Sequence, residues 1–168
     1  KGTYLPKNAF DDKTNSYWVS NLPNDDTFHS CLYANFSQPY LLEAFLFDAA
    51  YDSNYWGEVT SYSGFPLKLK IHTALDDEDF ILTATFAGIP EDPLTRAQFV
   101  LPNPINCTRV KLEFVDVTAN SKFASNKRNA CTAGIVFLKK DDYEYLSYHK
   151  ISSYDDSHKL SSSMFKYD

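Results

Sequence analysis

Gly64-Phe65-Pro66-Leu67-Lys68-Leu69-Lys70-Ile71-His72-Thr73-Ala74-Leu75 decides the fold class. Phe65, Leu67, Leu69 and Ile71 alternate with Pro66, Lys68, Lys70 and His72, a period of two that turns one side of a strand to a core and the other to water. The pattern continues outward from this stretch. The run 80–86 places Phe80, Leu82, Ala84 and Phe86 on one side, and the run 109–114 does the same with Val110, Leu112 and Phe114. Runs at 28–36, 41–47, 97–101 and 134–138 bring the total to about eight strands, the number of a two-sheet sandwich. Between them lie Pro-fixed corners, Gly88-Ile89-Pro90-Glu91-Asp92-Pro93 and Leu101-Pro102-Asn103-Pro104, and no sustained helical period. The expected fold is all-β, a sandwich of antiparallel strands with Trp18, Phe65, Leu69, Leu112 and Phe137 facing inward.

The 168 residues suit one domain, expected over residues 1–140 and followed at 141–168 by a polar Tyr-, Ser- and Asp-rich tail or linker. A formal net charge of -6, with no cluster of Lys and Arg, argues against nucleic acid and against anionic membrane lipid as partners. No apolar run reaches the ~20 residues of a membrane-spanning helix. The start at Lys1-Gly2-Thr3, without Met, points to a processed product or an excised module. Cys31, Cys107 and Cys131 allow one disulfide and leave one thiol over, which fits neither a disulfide scaffold nor a zinc site. Cys107 and Cys131 fall near the starts of two predicted strands, and their pairing stays open.

Ala9-Phe10-Asp11-Asp12-Lys13-Thr14-Asn15-Ser16-Tyr17-Trp18-Val19-Ser20 resembles the first motif of coagulation-factor type C (discoidin) domains and of the related family 32 carbohydrate-binding modules. That motif runs approximately A-F-D-G-x-x-x-T-x-W-x-S. Ala9, Phe10, Asp11, Trp18 and Ser20 match it, Asp12 replaces the Gly, and Ser16 stands for the Thr. Ile71-His72-Thr73-Ala74-Leu75-Asp76-Asp77-Glu78-Asp79-Phe80 is similar to the family's strand and S-x-D-G-x-x-W turn. Cys107-Thr108-Arg109-Val110-Lys111-Leu112-Glu113-Phe114 is similar to its A-R-Y-V-R-L-x-F strand, and Ala130-Cys131-Thr132-Ala133-Gly134-Ile135-Val136-Phe137 to its last, A-x-x-E-I-x-F. The four segments follow in family order over residues 1–140. The resemblance implies a galactose-binding-like jelly roll with ligands held by loops at one end, and a core position for Trp18.

The resemblance also implies a structural calcium site on Asp11, Lys13 and Ser16. Its usual Glu partner is Gly134 here, so a bound calcium ion would be weakly held. The other reading of Asp11 and Ser16 is a turn capped by their own hydrogen bonds. Tyr51, Tyr55, Trp56 and Tyr62 gather in the long connection after residue 48, beside Asp52 and Asn54. Exposed, they would form a stacking platform for sugar rings; folded back, they would cover a sheet edge or the core. For catalysis the chain offers no nucleophile elbow, no H-E-x-x-H, no phosphate loop and no paired cysteines. The expected function is that of a non-catalytic, lectin-like carbohydrate-binding module of a secreted or cell-surface adhesion protein. The alternative is a module for protein interaction or structural packing, with a cell-surface protein as partner.

Overall fold

A computed structural model describes residues 4–11, 16–53, 59–62, 64–87, 96–118, 128–140, 149–152 and 165–167. After a 3-10 turn at Pro6–Ala9 come β1 (Trp18–Val19), β2 (Ser30–Asp48), β3 (Tyr51–Ser53), β4 (Val59–Tyr62), β5 (Pro66–Ala74) and β6 (Ile81–Ala87). They are followed by β7 (Arg96–Val117), β8 (Cys131–Thr132), β9 (Gly134–Lys139), β10 (His149–Ser152) and β11 (Phe165–Tyr167). The result is the β-sandwich that the alternation predicts, built around two strands far longer than expected.

β2 and β7 pair antiparallel over most of their length and belong to both layers. In the first layer residues 30–35 of β2 pair with 109–114 of β7, whose other edge takes β5 and then β6. In the second layer residues 40–48 of β2 pair with 96–107 of β7, flanked by β9 on one side and β10 on the other. Two reciprocal bulges mark the passage between layers. The ladder breaks after Asn35↔Arg109 and resumes at Tyr40↔Cys107, then breaks after Leu42↔Ile105 and resumes at Ala44↔Val100. The extra residues are 36–39, with Pro39, and 101–104, with Pro102 and Pro104. Proline has no N–H for a ladder, so it is tolerated where a strand leaves its partner, and the bulge supplies the bend. The predicted strand pairs 28–36 with 41–47, and 97–101 with 109–114, are therefore each one continuous strand turning a corner.

The layers close on aromatic rings. Phe45, Phe47 and Phe99 of the second layer meet Phe65, Phe86 and Phe114 of the first, all six without solvent exposure. Phe45 stacks on Phe99 at 4.8 Å between centroids, and Phe86 meets Phe99 edge-on at 4.9 Å. Trp18, expected in the core, is 4% exposed and packs on Phe114 at 5.4 Å. Phe65, Leu69 and Leu112 are buried as expected, whereas Phe137 is partly buried against Phe10, Phe36 and Phe45.

β6 departs from the sequence reading. On β6 the pairs Ile71↔Ala84 and His72↔Leu82 leave Thr83 extra, and its hydroxyl bonds that of Thr73 at 2.7 Å. A slip of one residue reverses the faces, so Ala84 and Phe86 point inward while Leu82 is 52% exposed. Phe80, also expected inside, instead lies partly exposed beneath the Arg109 guanidinium and next to Tyr33. In the C-terminal segment, β10 pairs parallel with residues 97–100 and antiparallel with β11.

The bulge makes Phe45 and Leu82 opposites in energy. Phe45→Ala is expected to cost about 3–5 kcal/mol of unfolding free energy, and Leu82→Ala less than about 0.5 kcal/mol, in denaturant titrations. A costly Leu82→Ala would return that side chain to the core.

Candidate functional site

Because β2 and β7 double back through their bulges, the start and end of β2 arrive at one end of the sandwich, together with the start of β5 and the end of β7. Hydrogen bonds lock the connections there. Asn24 is buried and acts as a hub: its side-chain nitrogen donates to the Phe114 carbonyl at 2.8 Å. Its side-chain oxygen accepts from the Ser30 amide at 2.8 Å and hydroxyl at 2.6 Å. The Asn24 amide reaches the Arg128 carbonyl at 2.8 Å, and the Ser20 amide that of Ala130 at 2.9 Å. Gly64 stands at the foot of the next connection with φ at +60°, and its carbonyl accepts from the Cys131 amide at 3.1 Å. A Cβ at this position would lie 2.0 Å from the Asn129 carbonyl oxygen. Phe65 and Thr118 exchange bonds of 2.8 and 3.0 Å. Three connections, near 20–29, 53–64 and 118–130, are thus tied at their feet to one end.

Asn24, Asp25, Asp26, His29, Asp116 and Arg128 line an open cleft of about 380 Å³ there, with Val115. The Asp25 carboxylate caps the amides of Thr27 at 2.7 Å and Phe28 at 2.8 Å. The Thr27 amide and hydroxyl, the Phe28 amide and the His29 charge hold its pKa below the usual carboxylate value. Arg128 donates to the Val117 carbonyl at 2.6 Å, which fixes its guanidinium at the cleft wall. Behind His29 stands Glu113, hydrogen-bonded to His29 Nδ1 at 2.7 Å and to His72 Nε2 at 2.8 Å. Burial pushes the Glu113 carboxyl up, but the two imidazole bonds, with the charges of His72 and Lys70, outweigh it and leave the pKa below its usual value. His72, expected as a surface histidine, is part of this cluster and largely buried.

Of the platform residues expected from sequence, Tyr51 and Tyr62 stand directly opposite each other in the antiparallel β3–β4 hairpin, which rises between Asp48 and Gly64 at the same end. Tyr55 and Trp56 lie outside the described residues. Of the calcium set, the Ser16 hydroxyl donates to Asp11 Oδ2 at 2.6 Å, and Lys13 lies outside the described residues. Gly134 faces Asp48, whose Oδ2 would be 3.7 Å from a Cβ at that position. Among the described residues no three His, Cys, Asp or Glu side chains are arranged to hold a metal ion. Burial raises the Cys107 thiol to about 11, and burial followed by the Glu113 charge raises Cys31. No disulfide joins the cysteines among the described residues.

Sequence reading missed Asn24, His29, Glu113 and Arg128, which only the tertiary fold brings together. The available signal was the turn-rich stretch Asn21-Leu22-Pro23-Asn24-Asp25-Asp26 immediately after the Trp18 motif.

The chain matches no family model and no curated protein. Its fold is that of several solved carbohydrate-binding modules. It superposes on the module CBM32-3 from a family 31 glycoside hydrolase of Clostridium perfringens with a TM-score of 0.65 and 20% identity, covering 83% of this chain and 84% of the other. With the family 32 module of C. perfringens NanJ, determined in complex with galactose, the TM-score is 0.61 at 17% identity, covering 82% and 86%. The CBM32-1 and CBM32-2 domains of C. perfringens ZmpB, in complex with GalNAc, give 0.64 at 23% identity, covering 80% of this chain and 31% of that one. The discoidin-like, family 32 resemblance read from four sequence segments is thus matched by the fold.

The two glycines of the site have different tolerances. Gly64→Ala is expected to destabilise by more than about 2 kcal/mol, because the Cβ meets backbone and the residue needs φ above zero. Gly134→Ala is expected to stay within about 0.5 kcal/mol, since its new methyl makes only van der Waals contact. Thermal melts of the two variants check this directly.

Proposed function

We propose that the chain is a non-catalytic carbohydrate-binding module of a secreted or cell-surface protein, and that it holds a glycan at the end where the three connections meet. The observation that carries this is the polar cleft at that end of the sandwich, the end at which the Tyr51–Tyr62 hairpin also begins and ends. Amide, carboxylate, imidazole and guanidinium groups suit a sugar's hydroxyl rim, and aromatic faces suit its C–H face. The likeness of the fold to modules solved with galactose and GalNAc supports the same reading. The non-catalytic reading is supported by the likeness of the fold to solved carbohydrate-binding modules.

A protein-interaction module is the second reading, favoured by the outer face of the first layer. There Tyr33, 60% exposed, lies against Phe80, and Leu82, opposite His72, is 52% exposed. A glycan array separates the two readings. Trp56→Ala is expected to abolish array binding while changing stability by less than about 0.5 kcal/mol. Binding that survives this change, or a destabilised variant whose folded fraction still binds, counts against the platform.

The calcium site proposed at Asp11, Lys13 and Ser16 is structural and weak. Calcium takes six to eight oxygens, and the Asp11 carboxylate already accepts the Ser16 hydroxyl. Millimolar calcium is expected to raise the melting temperature of the natural chain by no more than about 2 °C. Gly134→Glu, which restores the carboxylate of the family motif, is expected to enlarge that shift. Strong stabilisation of the natural chain by micromolar calcium would show that a different carboxylate completes the site.

A further inference from the structure

Asn35-Phe36-Ser37 and Asn106-Cys107-Thr108 each set a hydroxyl residue two places after an asparagine, with no proline between, the acceptor pattern of N-linked glycosylation. The glycan reading of the cleft uses neither. A linked oligosaccharide is bulky and hydrated, so a folded chain carries one only where the asparagine stands in solvent. Both asparagines meet that condition. Asn35 and Asn106 are exposed although they lie inside the two long strands, Ser37 is exposed in the first bulge, and Asn106 precedes the buried Cys107 and Thr108. Asn35 is the last residue paired before that bulge, opposite Arg109; Asn106 is paired just beyond it, opposite Leu41, which is 39% exposed. Among the described residues no hydrogen bond engages either side-chain amide. The buried Asn24 and Asn129, in contrast, donate theirs to the Phe114 and Ser20 carbonyls at 2.8 Å.

We propose that Asn35 and Asn106 are N-glycosylation sites, and that their oligosaccharides sit at the corner where the ladder folds over. Residues 35–41 of β2 and 101–106 of β7 form that corner, whereas both ends of β2 and the end of β7 reach the cleft. The linked sugars are thus held at the opposite end of the sandwich from Asn24 and Arg128, and leave the cleft open. The donor is a lipid-linked oligosaccharide diphosphate of the secretory compartment. Asparagine Nδ2 bonds to the anomeric carbon, the bond from that carbon to the diphosphate oxygen breaks with its electron pair, and the amide gives up one proton. Nothing is oxidised or reduced. The proposal rests on the secreted or cell-surface reading, because only that route brings the chain to the donor.

The test routes the full chain through the secretory pathway of eukaryotic cells with an added leader, treats the secreted protein with peptide N-glycosidase in heavy-oxygen water, and sequences its peptides by mass spectrometry. Enzymatic release turns a glycosylated asparagine into a heavy-labelled aspartate, expected at positions 35 and 106. Asn35→Gln and Asn106→Gln are each expected to remove one glycan from the intact mass and to shift the melting temperature by less than about 2 °C, as surface changes do. Ser37→Ala is expected to leave Asn35 bare. Thr108 is kept, because its hydroxyl accepts from the Asp76 amide at 2.5 Å. Should a variant fail to be secreted, the labelled peptides of the natural chain decide. A secreted natural chain without label at either position overturns the proposal and leaves the carbohydrate reading intact; label at one position only overturns the assignment of the other. Label at position 35 that survives Ser37→Ala also overturns the assignment of Asn35. Label in the leader-routed chain, with both asparagines bare in protein taken from its own cells, brings down the secreted or cell-surface reading and this proposal with it.

Discussion

The antiparallel ladder between β2 and β7 is the constraint on which the rest of the molecule depends. One pair of strands supplies the centre of both layers, so the sandwich is a single ladder folded over at its two proline-bearing bulges. The fold-over brings Phe45 and Phe99 against Phe86, and Phe47 against Phe65 and Phe114. Each such aromatic contact adds about 0.5–1.5 kcal/mol beyond the area it buries, so the stack holds the doubled ladder closed. The same fold-over returns Asp48 to the end where Ser30 begins. The loop cluster follows from the bend, without any separate device to assemble it.

The strands were legible because half-buried sheets write their faces into the sequence with a period of two, as from Phe65 to Ile71. Continuity was not. Pro39, Pro102 and Pro104 are the residues that end strands in most settings, and nothing local distinguishes a stop from a bulge that has a bulge in the partner strand to match it. The exposed side chain of Leu82 was illegible for a related reason. The periodicity of 80–86 is regular, and the slip at Thr83 comes from how β6 pairs with β5, which is information held by two strands together. Trp18 was legible because its motif placed it, and burial against Phe114 agrees.

The candidate site divides along the same line. Tyr51 and Tyr62 stand out by composition within one short stretch, and the hairpin pairs them. Asn24 is separated from Glu113 and Arg128 by more than half of the chain, and the three carry no shared pattern; a long-range hydrogen bond such as that from Asn24 to the Phe114 carbonyl creates their proximity. On its strand Glu113 reads as one more outward polar residue, alternating with Leu112 and Phe114 exactly as Lys111 does. Its partners arrive from β5 and from the connection before β2.

The Glu113 cluster shows why a polar group can be placed here at all. Carrying a carboxylate into a site that is mostly shielded costs free energy unless its oxygens are satisfied, and both are, each by a different imidazole. Neither histidine alone would be enough, since one oxygen would stay without a partner from the protein. The cluster therefore requires β5, β7 and the connection before β2 to be in register together, and it forms only when the first layer is complete. A side chain at the cleft that is oriented by such a cluster inherits the rigidity of the sheet, although it sits on a loop. That combination, a loop residue held by sheet geometry, is what a binding site needs if hydrogen-bonding atoms are to wait in place for a hydroxylated ligand.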